Sequence, residues 1–323
     1  MKTSQVIRNY LQTHRQATGK ELSDHLGITD RAVRKQLSSL LESGVLTKKG
    51  RPPTVYYQIN SNPPSQPHHS LPTRLTRVIS QNYLFITPTG EKLAGIDGFL
   101  LWCEKQKLPF EKTAREYVAM VNKFSKYKRQ GLINGLSKLK HTYLQVFLDN
   151  LYYLDFYSID RFGKTKLGQL LLYAKQSQQT SLMTELIDTI TPAIERLITS
   201  KNITSVGFIP PTVKRQIQFM SVLKGRLHLK LRTVSIKKIV SDVAVPQKSL
   251  TRLTDRIENA QHSIVVGETS HHGNILLIDD AVGSGATLNE TAKQIREKGI
   301  CDGKIIGLAI TGSFKGFDII SEV

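Results

Sequence analysis

Two adjacent carboxylates, Asp279 and Asp280, run directly into a loop of small residues, Ala281 to Ala286, and then Thr287. Gly283 and Gly285 allow close backbone approach and dihedrals that other residues avoid. The N–H groups of such a loop, together with those of the helical turn after it, hold a phosphate well, and the helix dipole adds to the attraction. Ser284 and Thr287 add hydroxyl donors. Two aspartates repel phosphate but accept hydrogen bonds from sugar hydroxyls. One end suits a phosphate and the other a diol, a pairing that fits a ribose 5-phosphate.

The flanking pattern supplies the elements needed to place these groups. Residues 275–278, Ile-Leu-Leu-Ile, form a short apolar run of the kind buried on both faces of a parallel sheet. A helix is predicted over 287–298, with Leu288, Ala292 and Ile295 on its apolar face and Gly299 as its stop. A Gly-rich strand-to-helix turn by itself is common in doubly wound α/β domains; the acid pair and the Ser-Gly-x-Thr spacing are more specific.

The stretch resembles the phosphoribosyl pyrophosphate (PRPP) motif of type I phosphoribosyltransferases. The resemblance implies that Asp279 and Asp280 bind the ribose hydroxyls. It also implies that Gly283, Ser284, Gly285, Ala286 and Thr287 bind the 5-phosphate. Magnesium accompanies PRPP in that family. Two positions depart from the pattern: Ala281, where a larger apolar residue is usual, and Gly283, near where some members carry an acidic base. Glycine offers no such base.

The likeness extends, more loosely, over 155–323, where the chain resembles the ComF-like branch. Lys164 to Lys175 resemble its leading helix, and Ser205 to Pro211 read as a strand entering the loop that faces pyrophosphate in the family. Lys214 and Arg215 then either ligate pyrophosphate or simply open a surface helix. Gln247-Lys248-Ser249-Leu250, followed by Arg252, Arg256 and Asn259, is similar to the family's flap and hood, which makes Arg252 and Arg256 further pyrophosphate ligands. Residues 304–311 read as another buried strand. The fold implied is a parallel sheet flanked by helices.

Residues 1–60 show a different pattern. Helices are predicted over 4–14, 19–26 and 30–43, with Thr18 and Glu21 spaced as a capping box and Gly27 and Gly44 at turns. Residues 45–59 give two strands around the basic tip Lys48-Lys49-Gly50-Arg51-Pro52-Pro53. This order is similar to the winged helix-turn-helix family, in which the third helix enters the major groove. That assigns Thr29, Arg31, Arg34 and Lys35 to bases or phosphate, and Lys48, Lys49 and Arg51 on the wing to the backbone or minor groove.

Between the two lies a Pro-rich linker, 61–74, with His68 and His69, and then a mostly helical stretch, 75–154. A strand is predicted at 83–87 and helices at 98–105, 112–126 and 128–153. Lys123, Lys126, Lys128, Arg129, Lys138 and Lys140, interleaved with Tyr127 and Tyr143, suit either a nucleic-acid backbone or a solvated helix face.

The net charge of +19 is spread along the chain: ten Lys/Arg against four Asp/Glu over residues 1–60, thirteen against eight over 61–160, and twenty-two against fourteen beyond. Such a balance points to a polyanionic partner. No run reaches the ~20 apolar residues of a membrane span. The start of the chain lacks the apolar core of a signal peptide, and Cys103 and Cys301 have no metal-ligand spacing, so a cytoplasmic protein is expected. A homo-oligomer is expected as well. Three functions follow: a DNA-binding regulator that senses PRPP or a nucleotide; an active phosphoribosyltransferase; or a nucleotide-acting effector held on nucleic acid, as in retron-type antiviral defence.

Overall fold

The computed structural model describes residues 3–60, 71–213, 215–239 and 245–314, apart from the side chain of Lys248. It divides into two compact units, Met1–Ser70 and Leu71–Val323.

The first unit contains α1 (Thr3–His14), β1 (Gln16–Thr18), α2 (Gly19–Leu26), α3 (Asp30–Glu42), β2 (Leu46–Arg51) and β3 (Thr54–Ile59). The predicted capping box forms: the Thr18 hydroxyl accepts from Glu21 N, and Thr18 N donates to the Glu21 carboxylate at 2.7 Å. Gly27 ends α2 in the left-handed region at φ 60°, which lets the chain turn into α3. Ile7, Leu11, Leu22, Val33, Leu37 and Leu40 bury the inner faces of the three helices against Leu46. The hairpin β2–β3 is the wing, and the short β1, which the sequence pattern did not reveal, adds antiparallel to β3.

The second unit opens with α4 (Thr73–Asn82), so helix begins inside the expected linker; residues 61–70, including His68 and His69, lie outside the described residues. Next come β4 (Leu84–Ile86), β5 (Lys92–Ala94), α5 (Gly95–Lys105), α6 (Phe110–Ser125), β6 (Lys128–Arg129), β7 (Leu132–Asn134), α7 (Leu136–Thr142) and β8 (Asn150–Phe156). The chain continues through α8 (Lys166–Ser177), α9 (Thr180–Ser200), β9 (Ile203–Phe208), α10 (Phe219–Leu227), β10 (Arg232–Thr233) and β11 (Ile236–Lys238). It closes with α11 (Leu253–Ser263), β12 (Ile264–Val266), β13 (Asn274–Val282), α12 (Ala286–Glu297) and β14 (Ile305–Gly312).

Seven strands make one sheet in the order β10-β9-β13-β14-β8-β7-β6. The first five run parallel, and β7 and β6 extend the sheet antiparallel. Alternate side chains of β13 enter different cores. Leu276 and Ile278 pack toward α8, α9 and α10, whereas Ile275 and Leu277 join Leu288, Ala292 and Ile295 of α12. A strand covered on both faces reads as an unbroken apolar run, as this one does.

The sequence reading of 75–154 needs correction in two places. The helix expected over 128–153 is instead β6, β7, α7 and β8. The boundary at 154/155 falls inside β8, a strand hydrogen-bonded in register with β14. The helices before it belong to the same unit: Tyr83, Phe99, Trp102 and Tyr117 form an aromatic cluster that packs onto Phe162, beyond β8. Of the basic residues of this stretch, Lys123, Lys126, Arg129 and Lys140 are exposed, while two are engaged. Lys128 pairs with Asp155 at 3.2 Å, and the Lys138 ammonium donates to the carbonyls of Ser313 and Phe314.

The Tyr153 ring, 1% exposed, fits between Gly135 and Gly312, where a β-carbon at either glycine would overlap it. Gly312→Ala should therefore cost about 1–3 kcal/mol by overpacking, read from the denaturation midpoint. Its loss should be non-additive with that of Tyr153→Leu, because the second change removes the ring that the new methyl meets.

Candidate ligand cavity and nucleic-acid interface

The direction of the crossovers reverses between β9 and β13. After β9 the chain leaves through α10 toward β10 at the edge; after β13 it leaves through α12 toward β14 on the other side. Loops that diverge from neighbouring strand ends leave a crevice at their carboxyl ends, the usual ligand position in open α/β sheets. A cavity of about 510 Å³ occupies this crevice. Into it project Asp279 and Asp280, the whole 283–287 loop, and four cations: Lys175, Arg215, Lys238 and Arg256.

The acid pair is held as part of the sheet. Strand β13 continues through both aspartates to Val282, further than the apolar run alone indicated. Being consecutive on a strand, the two side chains leave on opposite faces. Asp280 meets Lys175 from α8, with Nζ to Oδ2 2.6 Å and both side chains 16% exposed. The Asp279 carboxylate accepts from Asp280 N at 2.7 Å. Burial, and then the neighbouring Asp280 charge, push the Asp279 carboxyl up to about 7, only partly offset by Lys175 and Lys238. Lys238 donates to Thr212 Oγ1 at 2.6 Å, and burial lowers its ammonium against the pull of both aspartates.

The loop that follows is shaped by its glycines. Gly285 lies in the left-handed region at φ 82°, where a side chain would be strained, and it caps the twelve-residue α12 with no side-chain hydrogen bond. The first-turn residues Ala286, Thr287 and Leu288 line the cavity, and the Ser284 hydroxyl beside them accepts from Ala286 N at 3.4 Å. Gly283 lies against the Arg256 guanidinium, and a β-carbon there would stand 3.0 Å from Nη1. Arg256 is 5% exposed and donates from Nε to Leu250 O at 2.8 Å. Among the described residues it has no carboxylate within ion-pair distance. From the 75–154 stretch, the Tyr143 hydroxyl is buried beside Ser284 and Arg256, and burial raises its pKa to about 12. Asn289 of α12 ties down the same segment, accepting from Phe147 N at 2.9 Å and donating to Gln145 O at 3.1 Å.

The structure thus brings Asp279, Asp280, Gly283, Ser284, Gly285, Ala286 and Thr287 together with Arg215 and Arg256 around one cavity. Arg252 does not join them; it is exposed at the start of α11. Lys214 lies outside the described residues. Sequence reasoning missed Lys175, Lys238 and Thr212 as cavity groups, and Tyr143 as a neighbour of Ser284 and Arg256. Lys175 ends the segment matched to the leading helix and carried that one signal. Lys238 ends the short strand β11, which carries no motif. Among the described residues, no group of three or more His, Cys, Asp or Glu could hold a metal by itself.

In the first unit, Arg31, Arg34 and Lys35 are exposed along one side of α3, opposite the buried Val33, Leu37 and Leu40. Thr29 is the N-cap of that helix; its hydroxyl accepts from Ala32 N at 3.4 Å. Lys48, Lys49 and Arg51 are exposed on the wing, where Gly50, at φ 89°, pairs with Val55 two residues before the turn at 52–53. A β-carbon at Gly50 would stand 2.6 Å from Thr54 O, so glycine is required there for the hairpin to close.

Residues 2–63 match the family model of an HTH domain. The N-terminal unit is a helix-turn-helix domain, a match that points to a nucleic-acid partner. No curated protein matches the chain. Among the described residues, no helix is long and apolar enough to cross a membrane.

Two outcomes follow from these arrangements. Arg34→Ala and Lys49→Ala should each weaken duplex DNA binding and lower the slope of log affinity against log salt by about one where a phosphate contact is lost. Asp279→Asn should raise thermal stability above pH 7 and leave it unchanged near pH 4. The folded Asp279 binds its proton up to about pH 7, whereas an unfolded aspartate releases it near 3.8. Wild-type stability thus falls as pH rises between those values, and the asparagine does not follow. Melting curves across pH check this.

Proposed function

We propose that the protein is a nucleic-acid-binding regulator whose C-terminal unit binds PRPP or a related ribose 5-phosphate, coupling nucleic-acid binding to nucleotide metabolism. One observation carries the reading: the acid pair and the N-terminus of α12 open into the same cavity, at the reversal of the sheet. Those are the two chemistries that a diol and a phosphate require, brought to one space. The lining adds four cations to the two acids, which favours a polyanion over a neutral sugar.

In this reading Asp279 and Asp280 accept from the ribose hydroxyls, while the backbone of 283–287, with Ser284 and Thr287, receives the 5-phosphate. The residues suit a magnesium–PRPP complex, with the ion brought on the pyrophosphate and the aspartates nearby. Such an ion supplies charge neutralisation when bound. Arg215 and Arg256 add positive charge to the cavity lining. For regulation, the ligand must bind the DNA-competent and DNA-incompetent states with different affinity; equal affinity would shift nothing.

Gly283 supports binding over chemistry. The place where an acidic base would stand holds the Arg256 guanidinium instead. An active phosphoribosyltransferase is the second reading, favoured by Asp279: a carboxyl near neutral pH can exchange a proton at that pH.

The double variant Asp279→Asn, Asp280→Asn should lose PRPP binding by at least about a hundredfold in calorimetry, two lost charge-assisted contacts at ~1.5 kcal/mol each. DNA binding should be kept. Unchanged PRPP affinity would reject the site. Pyrophosphate release from magnesium–PRPP, measured over a pool of nucleobases with and without DNA, separates the readings. The regulator predicts none, and base-dependent release would establish the enzyme.

A further inference from the structure

The two lysines beside the acid pair have no role in the reading so far. Lys175 comes from the last turn of α8 and Lys238 from the end of β11, elements separated by more than sixty residues. Both ammonium groups converge on the carboxyl end of β13. Lys175 lies 2.6 Å from Asp280, and Lys238 is pulled electrostatically by both aspartates while bonded to Thr212. A largely buried ion pair adds little stability over apolar side chains of the same volume. Its presence at the mouth of a cavity, instead of in a core, therefore calls for a ligand.

The chemistry of the sugar says which part of the ligand. In an α-linked 1-pyrophosphate of ribose, the substituent at C1 lies on the same ring face as the 2- and 3-hydroxyls. If Asp279 and Asp280 hold those hydroxyls, several negative charges are brought to the same side as two carboxylates. Something cationic has to stand there. In that reading the 5-phosphate is already served by the 283–287 loop and α12.

Resting on the ribose 5-phosphate reading above, we infer that Lys175 and Lys238 form the pyrophosphate subsite on the acid-pair side of the cavity. Lys175 acts as a bridge: an ammonium has three donors, so one holds Asp280 and another reaches the ligand. Asp280 is thereby oriented and the pyrophosphate neutralised by the same side chain. This moves the centre of pyrophosphate binding away from Lys214 and Arg252, where sequence alone had placed part of it. It also makes the site selective for a sugar charged at C1 over one charged only at C5.

Calorimetry at fixed magnesium and pH, with inorganic pyrophosphate, ribose 5-phosphate and PRPP as separate probes, tests the assignment. Lys175→Met and Lys238→Met should each weaken pyrophosphate and PRPP by about tenfold or more while moving ribose 5-phosphate by less than about threefold. Lys175→Met leaves Asp280 buried without its partner. Lys175→Met combined with Asp280→Asn removes both charges, should melt like the wild type, and should still lose pyrophosphate. Wild-type pyrophosphate affinity in the single lysine variants overturns the inference. So does an equal loss for pyrophosphate and ribose 5-phosphate, which would mark the lysines as structural supports. If PRPP binding survives in the Asp279→Asn, Asp280→Asn variant, the ribose 5-phosphate reading itself fails. If that variant loses PRPP while both lysine variants keep it, only the present inference fails.

Discussion

The second unit depends on the reversal of crossover direction between β9 and β13. Right-handed crossovers place helices on the two faces of the sheet, and where their direction changes, the two departing loops cannot cover each other. Every cavity group follows from that constraint. Asp279 and Asp280 lie near the carboxyl end of β13, the loop after it leads into α12, and the loop after β9 brings Thr212 and Arg215. Lys175 arrives because α8 packs on the sheet face to which Asp280 points.

The site is also a compromise in electrostatics. Two carboxylates on successive residues of a buried strand repel each other, and the cost is visible in the raised Asp279 carboxyl. Lys175 and Lys238 reduce it without cancelling it. A cavity with two acids and four cations at close quarters is poorly suited to a resting hydrophobic interior and well suited to a ligand that carries both hydroxyls and several negative charges.

Local signals in the sequence were sufficient for much of this. The first unit was legible almost residue by residue, because capping, turn glycines and helical periodicity all agree there. The β13–loop–α12 segment was legible for the same reason, with a doubly buried strand, a left-handed glycine and an amphipathic helix in succession. Residues 128–153 were not. Strands β6 and β7 are two and three residues long, and β8, Asn-Leu-Tyr-Tyr-Leu-Asp-Phe, alternates too weakly to show a period of two. Its place in the sheet is fixed by β14, about 150 residues later, and no window of local sequence contains that information. Lys238 and Tyr143 were hidden similarly, since only tertiary packing brings Lys238 to the cavity and Tyr143 to Ser284 and Arg256.

Strand β8 has a consequence for anyone dividing this chain into parts. A fragment beginning near residue 155 would lack β6, β7 and nearly all of β8, leaving β14 with one side of its ladder bare. A long, fully apolar strand with unpaired backbone groups is a template for joining other chains. Such a fragment would also lose residues 143–148, on which Asn289 secures α12. The smallest piece that keeps the 283–287 loop in place therefore begins at α4, and the helical stretch before β8 is part of the scaffold of the cavity.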